Sequence, residues 1–465
     1  MIKKSFLFGV IFFVCLSLTT LAISQIERKT KDELYNQIEL FSYALTTIQS
    51  EYVDEKQPKE LIYGSLKGML SSLDPHSQFL DPEEYKELKT ETQGKFGGLG
   101  IEISIRDGLL TIITPIEDTP AWKAGLKAMD RIVKIGDALT KDMTLSEAVK
   151  KLRGEPGTEV TITILREKEF KLHTFTITRE IIKIQDVRDA YILEDGVAYV
   201  RLSEFREETA KEFKKELQNL QSGGADSLIL DLRNNPGGLL NVAIRVTEVF
   251  LPKGEIIVST RGRRPSQNVV TRSRNMNPEF VHWPMVVLIN EGSASGSEIL
   301  AGALQDNKRA IVLGTKSFGK GSVQSVIPLP DGSGLRLTTS KYFTPSDKSI
   351  HGTGITPDIV VEHKLAKLEK EEPKEEDQIE KIFENVEMQE VENPETFRQE
   401  KEKVERKELL LNDNQIRAAI NVLKGIKVYQ TFESETLESP VPPSEGEEGE
   451  ESQEEEDLSL LTFLH

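Results

Sequence analysis

Apolar residues recur at three- and four-residue spacing from Asp32 to about Lys89, with Leu34, Ile38, Phe41, Leu45 and Ile48 on one stripe. That spacing predicts amphipathic helices. A second such stretch, Leu61–Leu73, stops at Asp74-Pro75-His76, where proline cannot continue a helix. Between 96 and 180 the pattern shortens into alternating runs. A glycine-rich turn leads into a strand over Phe96–Ile103, and further strands are expected at Leu109–Thr114, Asp130–Ile135 and Val160–Leu165. A short helix capped by Thr119 and ended by Gly125, and a longer one over Thr144–Arg153, separate them. From Val197 to about Val361 strands (Ala198–Leu202, Ser227–Leu232, Glu255–Ser259, Met285–Asn290, Ala310–Gly314) alternate with helices (Glu207–Gln221, Leu239–Phe250, Ser297–Asp306). Such alternation predicts a helix-covered α/β domain. Beyond Val361, Glu and Lys dominate to 408, and a helix is expected over Asp413–Gln430. Residues 433–457, rich in Pro, Ser and Glu, are predicted to be disordered.

The amino terminus reads as an export signal. Lys3 and Lys4 precede an uncharged apolar stretch from Ser5 to Ser24, and Ala22-Ile23-Ser24 offers a small-x-small cleavage pattern. The stretch is also just long enough to span a bilayer. Anchoring in the inner membrane by residues 5–24 is therefore the alternative, and both place the rest of the chain in the periplasm or cell envelope.

Composition removes several chemistries. The net charge of -18 argues against nucleic acid as a partner, although nine acids between 445 and 457 supply half of it. The short basic run Arg261-Gly-Arg-Arg264 reads as a solvated loop. Cys15, the single cysteine, lies inside the apolar amino terminus, so the exported part has no disulfide framework, Cys nucleophile or Cys-based zinc site. The six His form no H-x-H or H-x-x-x-H pair, and neither metal nor cofactor is expected.

The chemistry concentrates in two stretches. Asn290-Glu-Gly-Ser-Ala-Ser-Gly-Ser-Glu298 ends a strand and enters a helix, and Gly314-Thr-Lys-Ser-Phe-Gly-Lys-Gly-Ser-Val-Gln324 comes after it. Small residues at 292–297 leave room for a carbonyl, and the helix start aims N–H groups at developing negative charge. No G-x-S-x-G elbow is present and no His is placed to serve a serine, so a lysine is the expected base. Ser293, Ser295 and Ser297 are the candidate nucleophiles; Lys316 and Lys320 are the candidate bases. Burial away from carboxylates would supply a neutral amine. Ser293 and Ser297 also suit helix-start hydrogen bonding, and His351 suits a turn.

The elements over 96–180 resemble a PDZ domain, in which the Gly98-Leu99-Gly100-Ile101 loop offers amides to a ligand's terminal carboxylate and the adjoining strand pairs with the peptide. Met129 departs from that pattern, where glycine is usual before the aspartate. The two chemical stretches resemble the active-site segments of the carboxy-terminal processing, or tail-specific, serine proteases, across roughly 35–362. The resemblance implies Ser295 as nucleophile, Lys320, 25 residues downstream, as base, and Gln324 as the lysine-orienting residue. It also implies that the glycines of Asp231-Leu-Arg-Asn-Asn-Pro-Gly-Gly238, Gly237 and Gly238, complete an oxyanion hole with Gly296. Glu298 and Asp306 would be supporting acids. The segment Ser349–Asp358 matches a further stretch of that family.

The expected architecture is multidomain α+β. It comprises a signal or anchor (1–26), amino-terminal helices (27–92), a PDZ domain (93–182), a ClpP/crotonase-like α/β serine protease core (183–362) and an acidic, partly helical and disordered tail (363–465). The expected activity is that of a serine endopeptidase cutting exported proteins near apolar carboxy-terminal tails captured by the PDZ domain. That domain would either deliver tails or block the site until one arrives. The amino-terminal helices are candidate contacts for a homo-oligomer. The apolar terminus Leu458–Leu464 is itself a candidate ligand or processing site. The rival expectation, a tail-binding scaffold without catalysis, predicts an eroded Ser–Lys pair, whereas Ser295, Lys320 and Gln324 are all present.

Overall fold

The computed structural model describes residues 33–116, 118–166, 171–364 and 404–438. The expected export signal with Cys15 and the apolar stretch Leu458–Leu464 lie outside the described residues. Helix α1 (33–51) leaves its apolar stripe in solvent: Leu34, Ile38, Phe41 and Ile48 are exposed. Among the described residues no helix is long and apolar enough to cross a membrane. Helix α2 (Pro58–Ser71) leads to a turn that Asp74 organises by accepting from the His76 and Ser77 amides and the Ser77 hydroxyl. A short strand, β1 (Gln78–Leu80), then buries Phe79 and Leu80. Helix α3 (Pro82–Gln93) starts on a reciprocal Asp81–Glu84 cap and ends at left-handed Gly94.

The next unit opens with β2 (Lys95–Gly98) and closes with β9 (Glu180–Lys183), paired as a two-stranded ribbon. Between them lie β3 (Ile101–Arg106), β4 (Leu109–Pro115), α4 (Pro120–Lys123), β5 (Arg131–Ile135), β6 (Ala138–Leu139), α5 (Leu145–Leu152), β7 (Glu159–Arg166) and β8 (Lys171–Thr178). Their sheet runs β3-β4-β5-β7-β8, so β3 is an edge strand, and α5 packs against β3 and β5. Ile112, Ile132, Ile162, Ile164 and Ala148 fill a core separate from that of the rest of the chain. This is the expected PDZ arrangement, with β8 as a strand the apolar pattern did not single out.

At the atypical position, Met129 adopts φ +69 and donates its amide to Ile112 O at 2.8 Å. It thus keeps the left-handed turn that glycine would make, at a steric cost of about 1–2 kcal/mol. The side chain is exposed, so it recovers little by burial. Met129→Gly should therefore raise stability by about 0.5–1 kcal/mol after the entropy of the unfolded glycine is charged against it. Thermal unfolding should show a midpoint higher by a few degrees, and a lower midpoint would mean that the methionine side chain holds the turn.

The remaining strands are β10 (Val187–Ile192), β11 (Val197–Leu202), β12 (Ser227–Asp231), β13 (Ile256–Gly262), β14 (Val269–Arg272), β15 (Met285–Ile289), β16 (Ile311–Gly314), β17 (Ser322–Pro328), β18 (Gly334–Phe343) and β19 (Ile359–Val360). The helices are α6 (Thr209–Ser222), α7 (Leu240–Glu248), α8 (Gly296–Asp306), α9 (404–411) and α10 (Asn414–Glu438). The main sheet runs β10-β11-β12-β15-β16-β19, parallel except for β10. Every residue of β12 and β15 is buried, as a parallel sheet covered on both faces requires. On one face Phe213, Leu217, Val242, Val246, Leu300 and Leu304 bring in α6, α7 and α8.

The opposite face is covered from a place the sequence pattern assigned to the tail. Ile416, Ala419, Ile420 and Leu423 of α10 are buried against Tyr199, Ile229, Val286 and Leu288. Burial of the two Ile and the Leu contributes roughly 1.5–3 kcal/mol each. A second sheet, β1-β18-β13-β14 with β17 on β18, brings the amino-terminal strand β1 onto the core.

Candidate active site

The carboxyl ends of β12 and β15 lie side by side, with Asp231 opposite Leu288, and ligand sites in such sheets gather at these ends. The chain leaving β15 turns through 290–294 and enters α8 at Ser295. There the backbone takes φ +53 and ψ -110, a conformation that costs a non-glycine residue about 1–3 kcal/mol and is kept where surrounding structure enforces it. The strained strand-to-helix turn of a nucleophile elbow is thus present without its flanking glycines.

Of the three serines, Ser293 and Ser297 are fully buried and committed. Ser293 Oγ donates to Leu232 O at 2.7 Å and accepts from the Asn290 amide, while Ser297 Oγ donates to Asn235 O at 2.9 Å. Ser295 is half-buried at the helix start.

Glu298, only 1% exposed, joins the two chemical stretches. Its Oε2 accepts from the Ser295 amide at 2.8 Å and from the Lys320 amide at 2.9 Å. Those nitrogens are therefore within about 5.7 Å of each other, the two bonds laid end to end. Oε1 accepts from Ser317 Oγ at 2.6 Å and the Gly319 amide at 2.7 Å. Burial pushes the Glu298 carboxyl above the usual carboxylate range, with these four donors pulling the other way. These bonds seat the lysine loop against the serine turn. Ile355 of the segment 349–358 adds a bond from its amide to Ser317 Oγ at 2.7 Å.

Lys320 is half-buried, whereas Lys316 is exposed. Burial holds the Lys320 ammonium below the ordinary lysine range, repulsion from Arg336 adds to that, and Glu298 opposes both. Gln324 stands on β17 and donates through Nε2 to Thr338 Oγ1 at 2.8 Å. Its Oε1 is buried and has no partner among the described residues. An unpaired buried acceptor is rare and calls for a ligand or mobile donor. His351 is exposed on a turn whose backbone packs on Gly321.

The glycine loop closes the site from the other side. A Cβ on Gly237 (φ +104) would come within 2.8 Å of Ser295 Cβ and of the Gly296 nitrogen, so glycine is required there by approach as well as by φ. Gly237 does not supply the amide expected of it, however, because that N–H donates to Asn235 Oδ1 at 2.9 Å. The Gly238 and Gly296 amides donate to no group among the described residues. Asp306 also departs from expectation. It ends α8, roughly 15 Å along the helix from its start, and accepts from the Ser346 amide at 2.9 Å. In the PDZ unit, Leu99 and Gly100 carbonyls accept from Ala121 and Ile116, while their own amides are uncommitted among the described residues.

Residues 196–361 match the model of peptidase family S41, and 111–166 match a PDZ domain. Residues 15–84 match the activating protease CtpB N-terminal domain. A carboxy-terminal-processing protease of Bartonella bacilliformis is 46% identical over 370 residues, covering 78% of this chain and 84% of the relative. The chain belongs to the carboxy-terminal-processing proteases of family S41. Carboxy-terminal processing protease CtpA of Bacillus subtilis is 34% identical over 320 residues, covering 69% of this chain and 68% of the relative. A solved photosystem II D1 C-terminal processing protease shares 30% identity over 69% of this chain and 86% of its own, with a TM-score of 0.43.

As a member of this family of serine peptidases the chain acts on protein substrates. Sequence reasoning passed over Ser317, which bonds Glu298, Arg336, whose charge disfavours the Lys320 ammonium, and Asn235, which ties the glycine loop to the serine turn through bonds at 294, 297 and 237. Ser317 and Asn235 are ordinary polar residues inside the lysine and glycine segments, Arg336 lies apart on β18, and only their tertiary partners reveal them.

Proposed function

We propose that Ser295 is the nucleophile, Lys320 the base and Gln324 the residue that orients it. The observation that carries this reading is the single Glu298 oxygen holding both the Ser295 and Lys320 amides. Neutral Lys320 takes the Ser295 hydroxyl proton as Oγ adds to the scissile carbonyl, and the oxyanion sits between the Gly238 and Gly296 amides. The resulting ammonium gives its proton to the leaving amine. Water, deprotonated by the same lysine, then releases the acyl group. The unpaired Gln324 Oε1 supports an acceptor role toward the amine, since an amide orients it without stabilising its charge as a carboxylate would.

Apolar carboxy-terminal tails are the proposed substrates. They would pair with edge strand β3 beside α5, with the terminal carboxylate on the Leu99 and Gly100 amides and Ile101 beginning the pairing strand. The amino-terminal pattern supports export to the periplasm or cell envelope. The exposed stripe of α1 supports self-association. A peptide ending in apolar residues should be cleaved, and its carboxamide should lose roughly 10- to 100-fold in kcat/KM, the loss of charge-assisted hydrogen bonds. Mass spectrometry locates the cut. Equal rates for acid and amide would remove the PDZ unit from substrate selection, and stable peptides across the pH range would remove the Ser295–Lys320 assignment.

A further inference from the structure

Arg233 lies just past β12 and opens the glycine loop, and its side chain joins neighbouring Asp231 to a distant part of the chain. Its Nε and Nη2 donate to the Asp231 carboxylate, with Nη2 at 2.6 Å. Its Nη1 donates to Asp413 Oδ2 and Gln415 Oε1, each at 2.7 Å. Asp413 caps α10 at the same time, accepting from the Gln415 and Ile416 amides through Oδ1. Gln415, fully buried, also donates through Nε2 to Val361 O at 2.6 Å. The guanidinium side chain is only 11% exposed, and its planar fork suits two fixed carboxylates.

The residues immediately after Arg233 build the site. Asn234 takes φ +58, and its amide donates to Asn290 Oδ1 at 2.8 Å while Asn290 Nδ2 returns a bond to Asn234 Oδ1. Asn235 then fixes Gly237 and the Ala294 amide. The loop that carries Gly238 thus begins at Arg233, which is gripped by the start of α10.

We propose that Arg233 is a positioning residue for the oxyanion loop, and that α10, which returns to the core beyond residues 365–403, completes the catalytic unit through Asp413 and Gln415. The proposal rests on Gly238 and Gly296 as oxyanion donors. A helix that served only to cover the sheet would need its apolar stripe and no buried polar grip on the loop. The apolar stripe supplies adhesion, and the Arg233 cluster supplies register.

The test uses the full-length chain with Gln415→Leu, Asp413→Asn and Arg233→Lys, assayed on a cleaved peptide at a temperature where circular dichroism shows each folded. Gln415→Leu and Asp413→Asn should lower kcat by roughly 10- to 100-fold with KM within about twofold of wild type, as expected when a donor is misplaced by about an ångström. Arg233→Lys keeps the charge without the fork and should fall alongside them. The acid limb of the pH profile should stay in place, because the lysine is untouched. Wild-type kcat in the folded variants, or losses that only track the unfolded fraction, would overturn the proposal. If Arg233→Lys does not fold, the two α10 variants decide. Ser295→Ala is the control that separates the readings. Activity in Ser295→Ala sinks the site assignment, whereas an inactive Ser295→Ala beside fully active α10 variants sinks only the role of Arg233.

Discussion

Lys320→Ala should lower kcat/KM to the level left by Ser295→Ala, a loss of roughly four to six orders of magnitude for either variant. The double variant should be no worse, because the proposed nucleophile and base would act as one unit, so that removing either removes the step. The pH dependence has a definite sign. On the proposed dyad Lys320 must be neutral to accept the serine proton, so activity should rise with pH through the lysine's pKa and be lost as pH falls below it. Burial and Arg336 place that limb below the ordinary lysine range. Arg336→Met removes a like charge, raises the Lys320 pKa and should move the acid limb of kcat/KM to higher pH. Glu298→Gln should move it lower, since the Glu298 charge favours the ammonium. Measured pH profiles of the two variants shifting in the same direction would show that another group sets the limb, and full activity in Lys320→Ala would leave Lys320 without its role.

Glu298→Ala is expected to cost both stability and activity. The carboxylate accepts four hydrogen bonds in a site with almost no solvent, and each buried donor left without an acceptor costs about 1–3 kcal/mol. Partial rehydration of the cavity keeps the total near about 3–6 kcal/mol, and thermal unfolding should show a midpoint lower by roughly 10 °C. The kinetic loss should exceed what the folded fraction explains. Below the new midpoint, kcat/KM should still fall by roughly two orders of magnitude, since the serine turn and lysine loop lose their common anchor and an error near 1 Å costs about a hundredfold. Glu298→Gln retains one acceptor oxygen but turns an NH2 toward two of the donors, so it should lie between wild type and Ala. A Glu298→Ala protein that is destabilised but catalytically normal when folded would reduce Glu298 to a packing residue.

Much of the fold is legible in the chain itself. Periodicity locates β11, β12, β15, β16 and α6–α8 to within a few residues, because buried parallel strands and amphipathic helices write their burial into consecutive apolar positions. Small neighbours at a helix start mark Ser293, Ser295 and Ser297 as candidate nucleophiles and leave Lys316 and Lys320 as candidate bases, whereas Ser295, Lys320 and Gln324 are singled out only by the family resemblance. The long β17–β18 hairpin carries no such mark, because Ser322–Pro328 and Gly334–Phe343 are mixed polar strands whose partners, not their composition, make them strands. The acidic tail does not behave as one unit. Its stripe Ile416, Ala419, Ile420 and Leu423 is short and surrounded by charge, and only the uncovered face of the main sheet gives it a destination.

Which residues carry reactive groups, and which segments must bury apolar surface, follow from the chain alone, because both are properties of side chains and of local period. How those groups are held is a matter of the folded molecule. Glu298 is an anchor because 295, 317, 319 and 320 meet at its oxygens, and the Gly237 amide is committed because Asn235 takes it. Asp306 lies at the far end of α8 from Ser295 because a helix separates the two ends of one segment. Hydrogen bonds between residues far apart in the chain have no period and no local signature, so their assignment waits for the fold.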